Sequence, residues 1–232
     1  MLDLPAIQSA LREFDLNAWL LCDFRGQNPL AKNVVGIPAH AHQTRRWMYL
    51  IPREGTPKKL VHRIEAGSLD HVPGEKRIYL TWQEFQAGVA WLLAGPIVER
   101  PQPRIALEYS PRNAVPYLSK VDAGTIELVR ANGCVPVCSG DVIQRFTAVW
   151  DDEQLELYAR ADRATTSAYD LVWKFLRDEA AAGRAPHETD VQDVIVDHFT
   201  RNGCVTDHPP IIGVNGHAGD PHYAPRKERR RD

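Results

Sequence analysis

The sequence is poor in cysteine and methionine, nearly neutral, and without a long apolar run. Of its 232 residues, four are cysteine and two are methionine, and the formal net charge is −2. Four scattered cysteines are too few for a disulfide framework, and near-neutrality argues against binding nucleic acid through bulk positive charge. No stretch approaches the ~20 apolar residues that span a bilayer. We therefore expect neither a nucleic-acid partner nor a membrane.

The first residues and the cysteine spacing both point to the cytoplasm. Met-Leu-Asp-Leu-Pro includes an acid and no basic cluster, whereas a secretory signal starts with a basic region and continues into an apolar one. Cys134 and Cys138 enclose Val-Pro-Val, a spacing that fits neither a redox pair nor a zinc site. We expect buried, reduced thiols and a cytoplasmic protein.

Strand and helix signals alternate through the first 150 residues. Short apolar runs predict strands over 18–22, 46–51, 59–64, 104–108 and 135–138. Apolar residues at helical spacing predict helices over 3–14, 82–93 and 125–132, the last two followed by Gly95-Pro96 and Gly133. Because strands and helices alternate, we predict a layered α/β domain that ends near Trp150.

A second, mainly helical region begins at Asp151. Asp151 and Gln154 have the spacing of a capping box, and the helix they open is predicted to continue to the alanine-rich run at 180–186. A second helix follows, and then the segment 208–225, which starts as a short apolar strand and ends in an Asp-Pro-His-Tyr turn. Two amphipathic helices with one strand bury little apolar surface, so we expect this region to be the less stable half.

Several motifs, taken in order, resemble a known family. They are Asp-Phe-Arg-Gly-Gln-Asn-Pro at 23–29, Arg-Arg-Trp-Met-Tyr-Leu-Ile-Pro at 45–52, Leu-Val-His-Arg-Ile-Glu at 60–65, Leu-Glu-Tyr-Ser-Pro at 107–111, Val-Asp-Ala-Gly-Thr at 121–125, and the segment 206–225. Their order and spacing resemble the N-terminal part of a bacterial Xaa-Pro aminopeptidase, a pita-bread metallopeptidase. The resemblance implies a creatinase-like α/β domain over 1–150, with a mixed sheet and flanking helices, and the start of an α+β pita-bread peptidase domain over 151–225.

The resemblance also implies a reaction and its cofactors. In the intact family, two divalent metals of the manganese class hold a hydroxide that attacks the carbonyl preceding proline in a peptide substrate. Their ligands, two Asp, one His and two Glu, all follow the Pro-His-Tyr motif. We therefore expect this chain to bind no metal and to be inactive, truncated before the metal ligands. The basic tail at 226–232 departs from the family, so a premature stop, a frameshift or a truncated gene model fits it better than a functional tail.

Three residues receive roles from the resemblance. His222 would line the substrate pocket and orient the scissile group, and the alternative is an exposed, idle turn histidine. Arg25 and Asn28 follow the first predicted strand, where family members, which commonly pair, bring a loop close to a neighbour's active site. We predict that these two residues contact substrate or a partner subunit, and that the chain self-associates. The alternative for both is a hydrogen-bonded turn that anchors the strand end.

Two groups of histidines resemble metal ligands without having a metal-site spacing. The stretch 208–222 contains three His and Asp220, and His and carboxylate groups are zinc ligands. No helix or hairpin spacing orients them, so we do not expect a separate metal site there. His40 and His42 lie in a connector and are expected to be solvated.

Two further functions stay open at the level of sequence. Residues 1–150 could form a non-catalytic oligomerisation module, or a remnant, that pairs with itself or with a full-length paralogue. The basic tail could bind nucleic acid, with an affinity that falls steeply as salt is added.

Overall fold

The chain divides into two compact units, one ending at Val149 (unit 1) and one beginning at Trp150 (unit 2). The computed structural model describes residues 2–38, 40–95 and 101–226. Among these residues, unit 1 contains six strands and five α-helices, and unit 2 contains two α-helices. None of the helices in the described ranges combines the length and the apolar character needed to cross a membrane.

Unit 1 alternates strands and helices, as the sequence predicts. Its elements in chain order are α1 (Leu4–Glu13), β1 (Ala18–Asp23), α2 (Pro29–Val35), β2 (Trp47–Pro52), β3 (Lys58–His62), β4 (Glu75–Tyr79), α3 (Trp82–Leu93), β5 (Arg104–Leu107), α4 (Ala123–Ala131), β6 (Val135–Cys138) and α5 (Gly140–Thr147). The structure confirms the predicted α/β class, all five predicted strands, and helices α1, α3 and α4.

The six strands form one mixed sheet in the order β4-β3-β2-β1-β5-β6. β2 is antiparallel to both β1 and β3, whereas the β1–β5, β3–β4 and β5–β6 pairs are parallel. The register of the central pair places Ala18 opposite Pro52 and Asp23 opposite Trp47. Every residue of β1 and β2 is buried, which explains why these strands are apolar throughout except for Asp23 at the end of β1.

Two apolar layers cover the two faces of this sheet. On one face, α1, α2 and α5 contribute Leu11, Val35 and Ile143 to a cluster. On the other, α3 and α4 contribute Val89 and Val129. Alternate residues of β1 enter opposite layers, because successive side chains of a strand point to opposite faces of the sheet.

The sequence patterns miss three elements of unit 1, namely α2, α5 and β4. Helix α2 has clear start and stop signals, with Asn28 as N-cap, Pro29 in the first turn, and Gly36 at a left-handed φ of 74°. These signals enclose only seven residues, so no apolar periodicity develops. Strand β4 lies at the sheet edge with four of its five residues exposed, and its sequence Glu-Lys-Arg-Ile-Tyr lacks the apolar alternation by which strands are predicted.

Unit 2 contains α6 (Asp152–Ala181) and α7 (Glu188–Arg201), which pack against each other. The predicted capping box opens α6. The backbone N–H of Gln154 donates to Asp151 Oδ1 at 2.8 Å, and the backbone N–H of Asp151 donates to Gln154 Oε1 at 2.9 Å. Both predicted helices of this region are therefore confirmed.

The predicted strand in the first part of the 208–225 segment is wrong. Residues 204–214 contain neither helix nor strand, and a short 3-10 helix, Asn215–Gly219, follows them. Pro209 and Pro210 have no N–H to donate to a strand ladder. The carbonyl of Pro210 instead accepts a hydrogen bond of 2.8 Å from the side chain of Gln192 on α7. A helix side chain thus takes the place of a neighbouring strand.

Two predictions fall on residues outside the described ranges. One is Pro96, half of the predicted stop after α3, and the other is 227–232, which is most of the basic tail. Gly95, the first half of that stop signal, has a left-handed φ of 96°, as expected just beyond a helix end.

Candidate functional site

Buried side chains around Glu108 hold the turn that follows β1. Glu108 comes directly after β5 and is fully buried. Its Oε1 accepts hydrogen bonds from Trp19 Nε1 at 2.8 Å and Ser139 Oγ at 3.1 Å, and its Oε2 accepts one from Asn28 Nδ2 at 2.8 Å. Burial raises the pKa of Glu108 above its ordinary value, against the effect of these three donors.

Asn28, one of the two predicted substrate contacts, is buried within this network. Its Oδ1 accepts a hydrogen bond from the backbone of Ala31 at 3.1 Å, and its Nδ2 also donates to the carbonyl of Cys22 at 2.9 Å. Its own backbone N–H donates to Asp23 Oδ1 at 2.7 Å. The side chain therefore caps α2 and anchors the end of β1. Substrate binding by Asn28 stays a prediction.

Arg25, the other predicted substrate contact, lies exposed in the same turn. Its φ of 59° is in the left-handed region, and Gly26 follows with a φ of 75°. Arg25 lines a cavity of about 550 Å³ together with residues of α2 and the connector 40–44. The structure thus brings Arg25 together with His40 and His42, which the sequence does not connect with it.

In unit 2, one buried carboxylate holds the segment that carries His222. Glu188 Oε1 accepts hydrogen bonds from the backbone of Val214 at 2.8 Å and from His217 Nδ1 at 2.9 Å, and its Oε2 accepts one from Tyr223 Oη at 2.6 Å. The rings of His217 and Tyr223 are stacked, with centroids 4.2 Å apart. The hydrogen bond from Tyr223, followed by those from His217 and Val214, lowers the pKa of Glu188 to about 2.

Sequence reasoning misses Glu188. Its local signal is an acid in the first turn of a predicted helix, which is a common arrangement because it complements the helix dipole. Its partners lie 26 to 35 residues further along the chain. The contact therefore depends on how unit 2 folds.

His222, the predicted catalytic residue, lies on an exposed turn after Pro221. Its backbone N–H donates to Asp220 Oδ1 at 2.9 Å, and the N–H of Tyr223 donates to the carbonyl of Asp220 at 3.2 Å. Within the described part of the chain, the imidazole of His222 makes no hydrogen bond, ion pair or ring contact. A catalytic role for His222 stays a prediction.

The described residues do not fit the two-metal centre that the family resemblance implies. Nowhere in 2–38, 40–95 or 101–226 do three or more His, Cys, Asp or Glu side chains form a group able to hold a metal ion. Glu188 and His217 make a pair, but both oxygens of Glu188 already accept hydrogen bonds, and a zinc-type site needs three or four protein ligands. We assign no chemical step to a metal on these residues.

Known peptidases share the fold of this chain. The chain is similar to dipeptidase PepE from Mycobacterium ulcerans, with a TM-score of 0.52 and 17% identity over 86% of this chain and 48% of that one. It is similar to a dipeptidase from Pyrococcus horikoshii OT3, with a TM-score of 0.52 and 13% identity over 85% of this chain and 49% of that one. No protein-family model matches the sequence, and no curated protein matches it significantly. The chain spans about half the length of both dipeptidases.

Proposed function

We propose that this chain forms part of an Xaa-Pro peptidase, a hydrolase that releases an N-terminal residue preceding proline. The observation that carries the proposal is the fold shared with two dipeptidases. The order of the sequence motifs between residues 23 and 225 supports it separately. On this assignment, unit 1 is the creatinase-like domain and unit 2 is the beginning of the pita-bread catalytic domain.

Within this function, we assign His222 to orienting the peptide. Glu188 fixes both ends of the segment from Val214 to Tyr223, and the imidazole of His222 is exposed beside the second of these contacts. A neutral imidazole can donate and accept hydrogen bonds at once, so it can hold a peptide group near the proline. The two metals of the intact family would supply an activated hydroxide when bound.

Peptide binding tests this assignment. We expect the 232-residue chain to bind Ala-Pro-Ala more tightly than Ala-Ala-Ala, and the variant His222→Ala to lose this preference. His208→Ala is the matched control, because His208 is an exposed histidine of the same segment. Equal affinity for the two peptides, or an unchanged preference in His222→Ala, contradicts the assignment.

A turnover assay tests whether this chain is itself active, which is a separate question from the family to which we assign it. With manganese and an Xaa-Pro peptide we expect no hydrolysis by residues 1–232, because the resemblance places the metal ligands after the Pro-His-Tyr motif. Hydrolysis that a chelator abolishes would show that the ligands lie within this chain.

The second candidate function is an oligomerisation module, in which unit 1 pairs with another copy. The edge strand β4 favours it, since Ile78, Leu80 and Trp82 on or just after that strand are 46%, 48% and 67% exposed. Light scattering on the whole chain tests this candidate. We expect Ile78→Lys to lower the oligomeric mass, whereas Tyr117→Lys, at another exposed position, leaves the mass unchanged. A monomeric parent chain rules the candidate out.

We propose a cytoplasmic location. All four cysteines are free thiols in the structure, and proteins of a reducing compartment keep their thiols unpaired. Fractionation of cells that produce the chain tests this proposal, and recovery of the chain outside the cytoplasmic fraction contradicts it.

A further inference from the structure

One cavity in unit 1 collects nitrogen-bearing side chains from three segments. It has a volume of about 550 Å³ and is lined by Arg25 from the turn after β1, Lys32 from α2, and His40 and His42 from the connector that precedes β2. A cavity of this size is within the range of small-molecule sites.

The charged side chains that line this cavity are cations, while the carboxylates of Asp23 and Glu65 lie behind it and accept hydrogen bonds from the backbones of the lining residues Gly26 and Thr44. Arg25 and Lys32 are cations, and no Asp or Glu is among the described residues that line the cavity. The whole chain has a net charge of −2, so the positive charge is a local concentration rather than a general property of the surface. A concave surface with one sign of charge concentrates ligands of the opposite sign.

Three lining side chains have no partner in the described part of the chain. Arg25, His40 and His42 make no hydrogen bond, ion pair or ring contact there. Arg25 also has a left-handed φ of 59°, a backbone strain of the kind found at ligand sites. Its guanidinium presents five N–H donors in a fixed plane. The cavity therefore offers donors that the protein itself does not use.

Lys32 supplies a positive charge held in place by the fold. Its side chain is buried, and its Nζ donates to the carbonyl of Ala41 at 3.5 Å. The same Nζ lies 4.0 Å from the point where a Cβ on Gly26 would stand. The ammonium is thus adjacent to both the connector and the turn that carries Arg25. The positive charge of Lys32 therefore lies beside the cavity before a ligand binds.

We propose that this cavity binds a small molecule through an oxyanion group, a phosphate or a carboxylate. Arg25 is the direct contact, because a guanidinium pairs with two oxygens of either group at once. Lys32 contributes the fixed charge, and the rest of the cavity, beside Pro29 and Ile37, accommodates an uncharged part of the ligand. This site lies wholly within unit 1 and requires neither His222 nor a metal, so it goes beyond the proposed peptidase function.

NMR titration of the full 232-residue chain with inorganic phosphate and, separately, with acetate at constant ionic strength tests the proposal. We expect saturable shifts of the Gly26, Ala41 and Thr44 amides. Tighter binding of phosphate identifies a phosphate-bearing ligand, and tighter binding of acetate identifies a carboxylate-bearing one. We expect Arg25→Gln to weaken binding about tenfold, because a charge-assisted bidentate contact is lost.

The control variant is Arg130→Gln, which removes the same charge from an exposed position in the last turn of α4. We expect it to bind as the parent chain does. Equal weakening by Arg130→Gln and Arg25→Gln would mean non-specific attraction, and it overturns the proposal, as does the absence of saturation with both anions. A second variant, Lys32→Met, removes the other positive charge of the cavity, and we expect it to weaken anion binding as well. If circular dichroism shows that Lys32→Met is unfolded, Arg25→Gln alone decides the proposal.

Discussion

The two units use a buried glutamate in opposite ways. Glu108 in unit 1 is enclosed by the sheet and its neighbours, and burial raises its pKa. Glu188 in unit 2 has its pKa lowered to about 2, with the hydrogen bond from Tyr223 as the largest cause. In unit 1 the apolar core encloses the carboxyl group completely, and this burial disfavours its ionised form. In unit 2 the carboxylate itself is what holds an irregular segment to a helix.

The apolar core of unit 1 is also larger than that of unit 2. Unit 1 has two clusters that cover both faces of a six-stranded sheet. In unit 2, the buried apolar side chains among the described residues are Ala164, Ala168 and Val191, while Tyr169 and Trp173 on α6 are 68% and 60% exposed. Because full burial of a large apolar side chain contributes ~1.5–3 kcal/mol, most of the stabilising free energy lies in unit 1.

The largest expected effect is a contrast in hydrogen exchange between the units. We expect the amides of β1 and β2 to exchange at least ~10,000-fold more slowly than those of α7, relative to their intrinsic rates, because local opening in a poorly packed unit costs little free energy. Mass spectrometry of peptic fragments measures both in one sample. Similar protection in the two units would show that unit 2 is stabilised by more than its described contacts.

The next largest effect is expected for Glu108→Ala. The change leaves Trp19, Asn28 and Ser139 without their shared acceptor and opens a cavity, so we expect the free energy of unfolding to fall by about 3–5 kcal/mol. Chemical denaturation followed by tryptophan fluorescence measures it. Glu127→Ala, on the exposed face of α4, is the control and is expected to change stability by less than ~0.5 kcal/mol. A similarly small loss in Glu108→Ala would mean that the network contributes little.

The central part of the fold was predictable from sequence because its signals are local. The residues Ala18 to Cys22 are buried on both faces of the sheet, so their apolar run marks a strand without further context. Edge strand β4 was not predictable, because three of its five residues are charged and it is a strand only through pairing with β3. The segment around Pro209 and Pro210 is the opposite case, because its apolar run predicts a strand that the structure does not contain. The two prolines have no backbone N–H to donate to a neighbouring strand.

The candidate sites were predictable only in part. Arg25 and Asn28 are three residues apart in one turn, yet Arg25 is exposed and Asn28 is buried. The difference depends on Glu108, which follows β5 and accepts a hydrogen bond from the side chain of Asn28. His40 and His42 become part of a cavity only because α2, which the sequence pattern misses, lies beside the connector. Contacts between distant segments carry no signal in a single sequence.

The smallest expected effect concerns pH, and it separates the two glutamates by sign. The pKa of Glu188 is about 2 in the folded chain, below its ordinary value of 4.5, so its stabilising contribution is complete above about pH 4.5 and is lost as the pH falls towards 2. The pKa of Glu108 is raised, so its contribution decreases as the pH rises above about 4.5. Acidification from pH 4.5 to 2 should therefore loosen the segment held by Glu188 without an equal effect from Glu108.

Hydrogen exchange at the Val214 amide reports this loosening directly, because that amide donates to Glu188 Oε1. In the parent chain we expect its protection, relative to the intrinsic rate, to fall several-fold between pH 4.5 and 2, as the carboxylate takes up a proton. In Glu188→Gln, protection should be low and independent of pH over this window. Glu156→Gln makes the same change at an exposed position of α6 and should keep the pH dependence of the parent. If the protection of the Val214 amide in the parent chain does not change with pH, the charge of Glu188 does not hold the segment. Glu108 and Glu188 would then differ only in how deeply they are buried.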